Sequence, residues 1–462
     1  MNRNSNVIFH AARVSAVSAV SVFLVFLMIY NLVMASGLIP GADEAVDART
    51  EQLKNISERQ SSVEGQFVDR NGEAITEPGE AGKPARLLYD EAYSYLIGYN
   101  SGVYGTSGLR SRLYRELFFG GADRIGASVA LTTDNGLQDF CYRQVLGEHE
   151  GSVIVMDART GELLACTSRS SAAVGLNANE IDGHFAEYQE IDAFFLNRAT
   201  LNQDPPGSTF KIVMSASMLE NGMGNFTYDD IDGELNVGNA SIHNYNEAVY
   251  GEGVNMETAL NRSVNVYFSS AALKLTSGAL QNTAERFQIG KRVTLDFTAL
   301  DSNFDLGNLN NQALLALTAF GQGRTTISPL QISMIMDAVM NKGVIMKPFL
   351  IQTVTDNGKT STYSKPETLS KAISADVAKT LKDYLHSTAV GYGFIEEEYG
   401  VVYAKTGTAD QANGKNHLYL LMGLETRDGE TYVALIDWRN CVGSSAALKP
   451  SAANLLRYLS SM

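Results

Sequence analysis

The chain has 462 residues, room for two or three domains, and 45% of them are hydrophobic, enough for a sizeable core. A formal net charge of −15 argues against a nucleic-acid partner. Three widely separated cysteines (Cys141, Cys166, Cys441) without CxxC spacing indicate neither a disulfide framework nor a metal site, and six scattered histidines without HExxH argue against a zinc hydrolase.

Along the chain, Val14 to Met34 is almost free of charge and reaches the ~20 residues that a bilayer core requires. A cleaved signal peptide is the competing reading, with Ala35-Ser36-Gly37 as a cleavage context. Its apolar region would normally be about 7–15 residues, so an uncleaved transmembrane helix is favoured. Arg3 and Arg13 precede the span, whereas Asp43, Glu44 and Asp47 follow it. The positive-inside rule then leaves residues 1–13 as a cytoplasmic tail and everything after the span extracytoplasmic. Residues 35–60, with Glu51, Lys54, Glu58 and Arg59, read as a short stalk. A small N-terminal domain is expected over 61–126. It opens with a hairpin signal centred on Asn71-Gly72 and a loop to Gly82, then a helix from Asp90 to Ile97, then the glycine-rich run Gly98 to Gly108. That run lacks the Gly-Lys-Ser/Thr of a phosphate loop.

A larger domain is expected over 127–462. Asp134 can cap a helix that carries Leu137, Phe140, Cys141, Val145 and Leu146 on one face. Ser152 to Met156 and Leu163 to Thr167 read as strands, residues 207–390 as mainly helical, and Val401 to Ala409, Leu418 to Leu424 and Tyr432 to Asp437 as three more strands. A closing helix follows from about Ser451 to Leu459. Five strands from both ends of the domain must therefore meet, which predicts an α+β domain: a five-stranded antiparallel sheet with helices on both faces.

Three short polar motifs interrupt this apolar text in a fixed order: Ser208-Thr209-Phe210-Lys211, Ser263-Val264-Asn265 and Lys405-Thr406-Gly407. Each alone is weak, because a chain this long should contain roughly two S-x-x-K and about one S-x-N by chance. Context gives them weight. Ser208 follows the turn Pro205-Pro206-Gly207, and Lys211 opens the apolar run Ile212, Val213, Met214, Ala216, Met218, Leu219, so the serine sits at a helix N-terminus. Residues three apart share a helix face, so the Lys211 amine can lie over the Ser208 hydroxyl. Burial and the nearby Lys405 should lower the Lys211 pKa, and a neutral amine can take the serine proton. Lys405 ends an extended run whose polar edge faces a cleft. The set reads as an active-serine acyl-transfer site.

From about residue 63 to the C-terminus the chain resembles the class B penicillin-binding proteins, membrane-anchored peptidoglycan D,D-transpeptidases. Besides the three motifs, the likeness is carried by Val68-Asp69-Arg70-Asn71-Gly72, Tyr104-Gly105-Thr106-Ser107-Gly108-Leu109, Leu131-Thr132-Thr133-Asp134, Thr160-Gly161-Glu162-Leu163-Leu164-Ala165 and Gly321-Gln322-Gly323 with Ser328-Pro329-Leu330-Gln331. The resemblance implies a serine β-lactamase/transpeptidase-like fold and a role for each motif residue. Ser208 would be the acylated nucleophile, Lys211 its general base, and Ser263 a proton relay to the leaving amine. Asn265 would bind the substrate backbone, Lys405 would tune the electrostatics, and Thr406, Gly407 and Thr408 would line the subsite for the carboxylate of a D-Ala-D-Ala stem peptide. The backbone N–H groups of Ser208 and Thr408 would form the oxyanion hole. No cofactor or metal is implied. β-Lactams would be covalent inhibitors, and a polytopic membrane glycosyltransferase would be the partner, since such a protein does not polymerise glycan itself.

The small domain departs from the family pattern at two places, where Glu64 and Arg110 invert the usual charges. A swapped salt bridge between them is expected, with Glu64→Arg harmful and partly rescued by Arg110→Glu. Two alternatives to a transpeptidase stand beside this reading: a β-lactam sensor or catalytically vestigial subunit of a cell-wall complex, and a β-lactamase. A bifunctional enzyme would need a glycosyltransferase domain of ~150 residues, for which the ~90 residues between span and large domain are too few.

Overall fold

The structure, a computed structural model, describes residues 61–119, 124–307, 311–410 and 414–462. Contacts group Val63–Met462 into one compact unit. The expected cytoplasmic tail, the span over 14–34 and all of the stalk over 35–60 lie outside the described residues. Among the described residues no helix is long and apolar enough to cross a membrane.

In chain order the elements that matter are β1 (Phe67–Val68), α1 (Asp90–Ile97), β2 (Ser128–Leu131), α2 (Asn135–Phe140), β3 (Gly151–Asp157) and β4 (Leu163–Arg169). Then come α3 (Lys211–Glu220), α4 (Met256–Arg262), α5 (Asn265–Lys274), α6 (Pro329–Met340), β5 (Ile351–Asp356), β6 (Lys359–Thr362) and α7 (Ala375–Tyr392). The chain closes with β7 (Val401–Asp410), β8 (Asn416–Glu425), β9 (Thr431–Cys441) and α8 (Lys449–Ser460).

The predicted five-stranded sheet is present, in the order β7-β8-β9-β3-β4 and antiparallel throughout. All seven residues of β3 are buried, so both faces are covered. Period-2 alternation divides them: Ile154 and Met156 belong to one core with α3, α5 and α6, while Val153 and Val155 belong to a second core with Leu137, Leu455 and Leu459. Shortening a core side chain such as Ile154 to alanine should cost about 2–5 kcal/mol. Every residue of α6 is buried, and a capping box of Ser328 and Gln331, with Pro329 in the first turn, starts it. Asp134 caps α2 as expected, its carboxylate accepting from the Leu137 N–H at 2.9 Å, and the helix continues as a π-helical turn over Cys141–Leu146.

Two features differ from the sequence reading. The 207–390 region is helical but also holds short antiparallel pairs, Glu234–Val237 with Ala240–His243 and Val344–Met346 with Thr368–Lys371, and its β5–β6 hairpin turns at Asn357-Gly358. Both turn residues have positive φ, 49° and 72°, the conformation that an Asn-Gly hairpin requires. In addition, a four-stranded sheet of order β1-β2-β5-β6 crosses the boundary expected at residue 127, with Phe67 opposite Val129 and Val354 opposite Val129 on its other side.

Glu64 and Arg110 do pair. Arg110 Nε lies 2.6 Å from Glu64 Oε1, and the side chains are 1% and 0% exposed, so the ion pair is fully buried. The remaining valences are also used. Arg110 donates to the Gly98 carbonyl at 2.7 Å and to the Ala85 carbonyl, and Glu64 Oε2 accepts from the Ala85 N–H at 3.0 Å and from Asn100 Nδ2 at 2.8 Å. This ties four segments of the small region to one ion pair. It also corrects the expectation of rescue, because exchanging the charges would set a carboxylate against two carbonyls and a guanidinium against two N–H donors. Arg110→Met and Glu64→Gln are each expected to lower unfolding stability by about 3–5 kcal/mol. The reversed pair Glu64→Arg/Arg110→Glu should be no more stable than either single change; recovery in a urea melt would refute this account.

Candidate active site

The turn after Pro205-Pro206 positions Ser208. Residues Gly207–Phe210 form a 3-10 turn that runs straight into α3, with Gly207 at φ +54°. Gly207 donates its N–H to the Gly321 carbonyl at 3.1 Å. A Cβ on Gly321 would lie 1.8 Å from the Gly207 oxygen, and one on Gly207 would lie 2.8 Å from the Thr408 oxygen. Three backbones are thus stacked with no room for a side chain: the serine turn, the Gly321 segment and the edge strand β7. Gly321-Gln322-Gly323, part of the family likeness, has its structural role in this close approach.

One helical turn on, Lys211 is fully buried. Its amine donates to Ser263 Oγ at 3.0 Å, to the Ser263 carbonyl at 2.7 Å and to Asn265 Oδ1 at 2.6 Å. The contact with the Ser208 hydroxyl expected from the i,i+3 spacing is not among these bonds, since the α4–α5 junction draws the amine toward itself. Hydrogen bonds at such sites commonly tighten only when substrate is present. Ser263 caps α4 in the left-handed conformation (φ 58°, ψ 45°). For serine that backbone costs about 1–3 kcal/mol, which the surroundings must over-determine. They do so through Val264 N–H to the Ala259 carbonyl at 2.9 Å, Asn265 N–H to Asn244 Oδ1 at 2.9 Å and Asn265 Nδ2 to the His243 carbonyl at 2.8 Å.

Lys405 reaches the same hydroxyl from β7. Its amine donates to Ser263 Oγ at 3.0 Å and to the Thr406 carbonyl at 3.2 Å, and it too is fully buried. Burial, and then repulsion from Lys405, hold the Lys211 amine well below the usual lysine range. Burial also lowers Lys405. Two amines sharing one hydroxyl in a dry site favour a neutral, basic partner for Ser208.

β7 is an edge strand of the sheet. The Thr406 N–H points outward, because it donates to the Tyr392 hydroxyl at 3.4 Å, and alternation turns the Thr408 N–H the same way. Ser208 sits in the first turn of its helix, where N–H groups have no intrahelical acceptor. These two N–H groups therefore flank the place where Gly207 meets Thr408. The Thr406 hydroxyl bonds Tyr392 Oη at 2.9 Å, and the Thr408 hydroxyl donates to Ser445 Oγ at 3.5 Å.

Behind Gly407 lies a buried polar chain that sequence reading missed. Tyr419 packs its ring against Gly407, where a Cβ would meet it at 3.1 Å, and donates to the Pro205 carbonyl at 3.3 Å. His417 Nδ1 bonds the Tyr419 hydroxyl at 3.0 Å, and its other nitrogen bonds Asp437. Asp204, next to Pro205, pairs with Arg439. The only sequence signal was the i,i+2 placement of His417 and Tyr419 on a strand.

Comparison with known proteins agrees with this geometry. Residues 151–457 match the family described as the penicillin binding protein transpeptidase domain. The chain is 26% identical to the peptidoglycan D,D-transpeptidase PbpA of Mycolicibacterium smegmatis, covering 75% of this chain and 77% of that one. It is also 26% identical to penicillin-binding protein 3 of Bacillus subtilis, covering 63% of this chain but 44% of that longer protein. In fold it is similar to the D,D-transpeptidase domain of a peptidoglycan glycosyltransferase from Eggerthella lenta (TM-score 0.77, 24% identity, 86% of this chain and 98% of that one). It is likewise similar to penicillin-binding protein A from M. tuberculosis, solved as an imipenem acyl-enzyme complex (TM-score 0.75, 20% identity, 87% and 99%).

Lys211 can act as a base only when neutral, so reactivity of Ser208 toward an acylating probe should rise with pH through the Lys211 pKa. In Lys405→Gln the repelling cation is gone, the Lys211 pKa rises, and the acid limb of the rate–pH profile should move to higher pH; an unmoved limb would sink this assignment. Gly321→Ala should slow acylation by about a hundredfold, because displacing the Gly207 carbonyl shifts the attached serine. A normal rate in stopped acylation assays would show that the stack is not required.

Proposed function

The chain belongs to the penicillin-binding protein transpeptidase family, and from that premise we propose that Ser208, Lys211 and Ser263 carry out D,D-transpeptidation of peptidoglycan stem peptides. The observation that carries the reading is the Ser263 hydroxyl held between the two buried amines of Lys211, one helical turn from Ser208, and Lys405 of the edge strand. The protein is a peptidoglycan D,D-transpeptidase that β-lactams acylate.

In the acylation step, neutral Lys211 takes the Ser208 proton as Oγ attacks the carbonyl carbon of the penultimate D-Ala. The Ser208 and Thr408 N–H groups receive the negative charge on oxygen. Collapse breaks the peptide bond and expels the terminal D-Ala, whose nitrogen takes a proton from Lys211 through Ser263. An amine from a neighbouring stem peptide then attacks the ester, gives up its proton by the reverse route, and leaves as a cross-linked amide with Ser208 regenerated. Asn265 holds the donor backbone; Thr406, Gly407 and Thr408 line the subsite for its terminal carboxylate. The carboxamide of Asn265 is fixed by Lys211 and the His243 carbonyl, which keeps its second N–H free to turn to substrate.

The finer assignment is to class B: a single-pass anchor over 14–34, an extracytoplasmic catalytic region and a polytopic membrane glycosyltransferase as partner. Support comes from the apolar run between basic and acidic flanks.

Incubated with benzylpenicillin, the protein is expected to gain the mass of one drug molecule and keep it for many minutes, whereas Ser208→Ala gains none. Rapid loss of drug without a lasting adduct would mark a hydrolase. Untouched drug would mark a closed or vestigial site.

A further inference from the structure

This inference rests on Thr406 and Thr408 as the groups that hold the donor carboxylate. Alternation along β7 places Lys405 on the face toward α3, α5 and α6 with Tyr403 and Ala409, and the two threonines on the opposite face with Val402 and Ala404. The Lys405 amine is directed to Ser263 and the Thr406 carbonyl. An anion bound on the threonine face therefore meets neither motif lysine directly.

Two hydroxyl side chains do face it, and a lysine lies over the ring of one of them. Tyr392 Oη is 2.9 Å from the Thr406 hydroxyl and accepts the Thr406 N–H at 3.4 Å. Ser445 Oγ is 3.5 Å from the Thr408 hydroxyl. Lys449, four residues after Ser445 and at the start of α8, holds its ammonium over the Tyr392 ring, 5.1 Å from the centroid. A cation in the first turn of a helix is opposed by the helix dipole, so this placement is electrostatically adverse unless an anion comes to it. In a chain of net charge −15, a local cation matters more for drawing an anion in.

We propose that Lys449 supplies the positive charge of the carboxylate subsite, and that the Tyr392 hydroxyl fills the subsite until a carboxylate displaces it. The ligand class is a peptide's terminal α-carboxylate or the ring carboxylate of a β-lactam. An ionised carboxylate is a stronger acceptor for the Thr406 N–H and O–H than a phenol oxygen, so the exchange is favourable. Tyr392 lies between Gly391 and Gly393, and Gly393 ends α7 at φ +92°, a turn that can carry the ring aside with little backbone resistance. The ammonium then turns from the ring face to the incoming anion.

The test is the second-order rate of Ser208 acylation by benzylpenicillin, followed by intact mass on the full chain at low and high salt, for wild type and three Lys449 variants. Lys449→Arg should stay near the wild-type rate, Lys449→Gln should fall about tenfold, and Lys449→Glu further. The gaps should narrow as salt rises. A wild-type rate in Lys449→Gln, or an equal and salt-independent loss in all three, would overturn the assignment in favour of packing alone. Tyr392→Phe removes the occupying hydroxyl and should acylate as fast as wild type or faster; slower acylation would make that hydroxyl part of the binding set and refute its displacement. Absence of any adduct on the wild type would instead refute the reading of the whole site.

Discussion

Two lysine ammonium groups converge on one serine hydroxyl in a fully buried site, and much of the architecture exists to make that tolerable. Removing an ammonium from water carries a penalty of several kcal/mol even after relaxation, and a second like charge beside it raises that further. Lys211 is met by a hydroxyl, a carbonyl and a carboxamide oxygen; Lys405 is met by the same hydroxyl and a carbonyl. Since a proton is easier to lose than to solvate there, burial itself favours the neutral amine that the proposed base requires. The chemistry thus follows from packing rather than from any unusual residue.

Convergence of this kind demands close backbones. Lys211 comes from a helix start, Ser263 from a left-handed junction between two helices, and Lys405 from a sheet edge. They meet because glycines remove the side chains that would hold these segments apart, at Gly207, Gly321 and Gly407. Beneath them, Tyr419, His417 and Asp437 brace the turn that carries Ser208 from inside the sheet. The same strand then serves two environments. Its face toward α3, α5 and α6 delivers Lys405 into the dry core, and its other face presents Thr406 to Tyr392 and Thr408 to Ser445, with Lys449 over the Tyr392 ring.

Much of the fold was legible in the chain. The five strands were readable as short apolar runs bounded by turns, and the structure extends each by at most four residues at either end. Two hairpins in the central region were passed over because their strands are largely polar, without an apolar run to announce them, although Asn357-Gly358 carried the turn chemistry. The paired charges Glu64 and Arg110 were legible as a departure from the family pattern. Their burial was not, nor were the carbonyls that bind Arg110, and these decide that the two charges are not interchangeable.

The sequence by itself determined the ingredients: three polar motifs in order, their placement on helix, junction and strand, and the apolar periodicities that require a covered antiparallel sheet. These are local properties, set by residue spacing and turn chemistry within a few residues. Only the tertiary structure decided which atoms meet. The Lys211 amine turns to Ser263 and Asn265, Gly321 lies across Gly207, and Tyr392 meets Thr406 with Lys449 over its ring. Each of those contacts joins segments 14 or more residues apart, and no local pattern encodes a distance across the core.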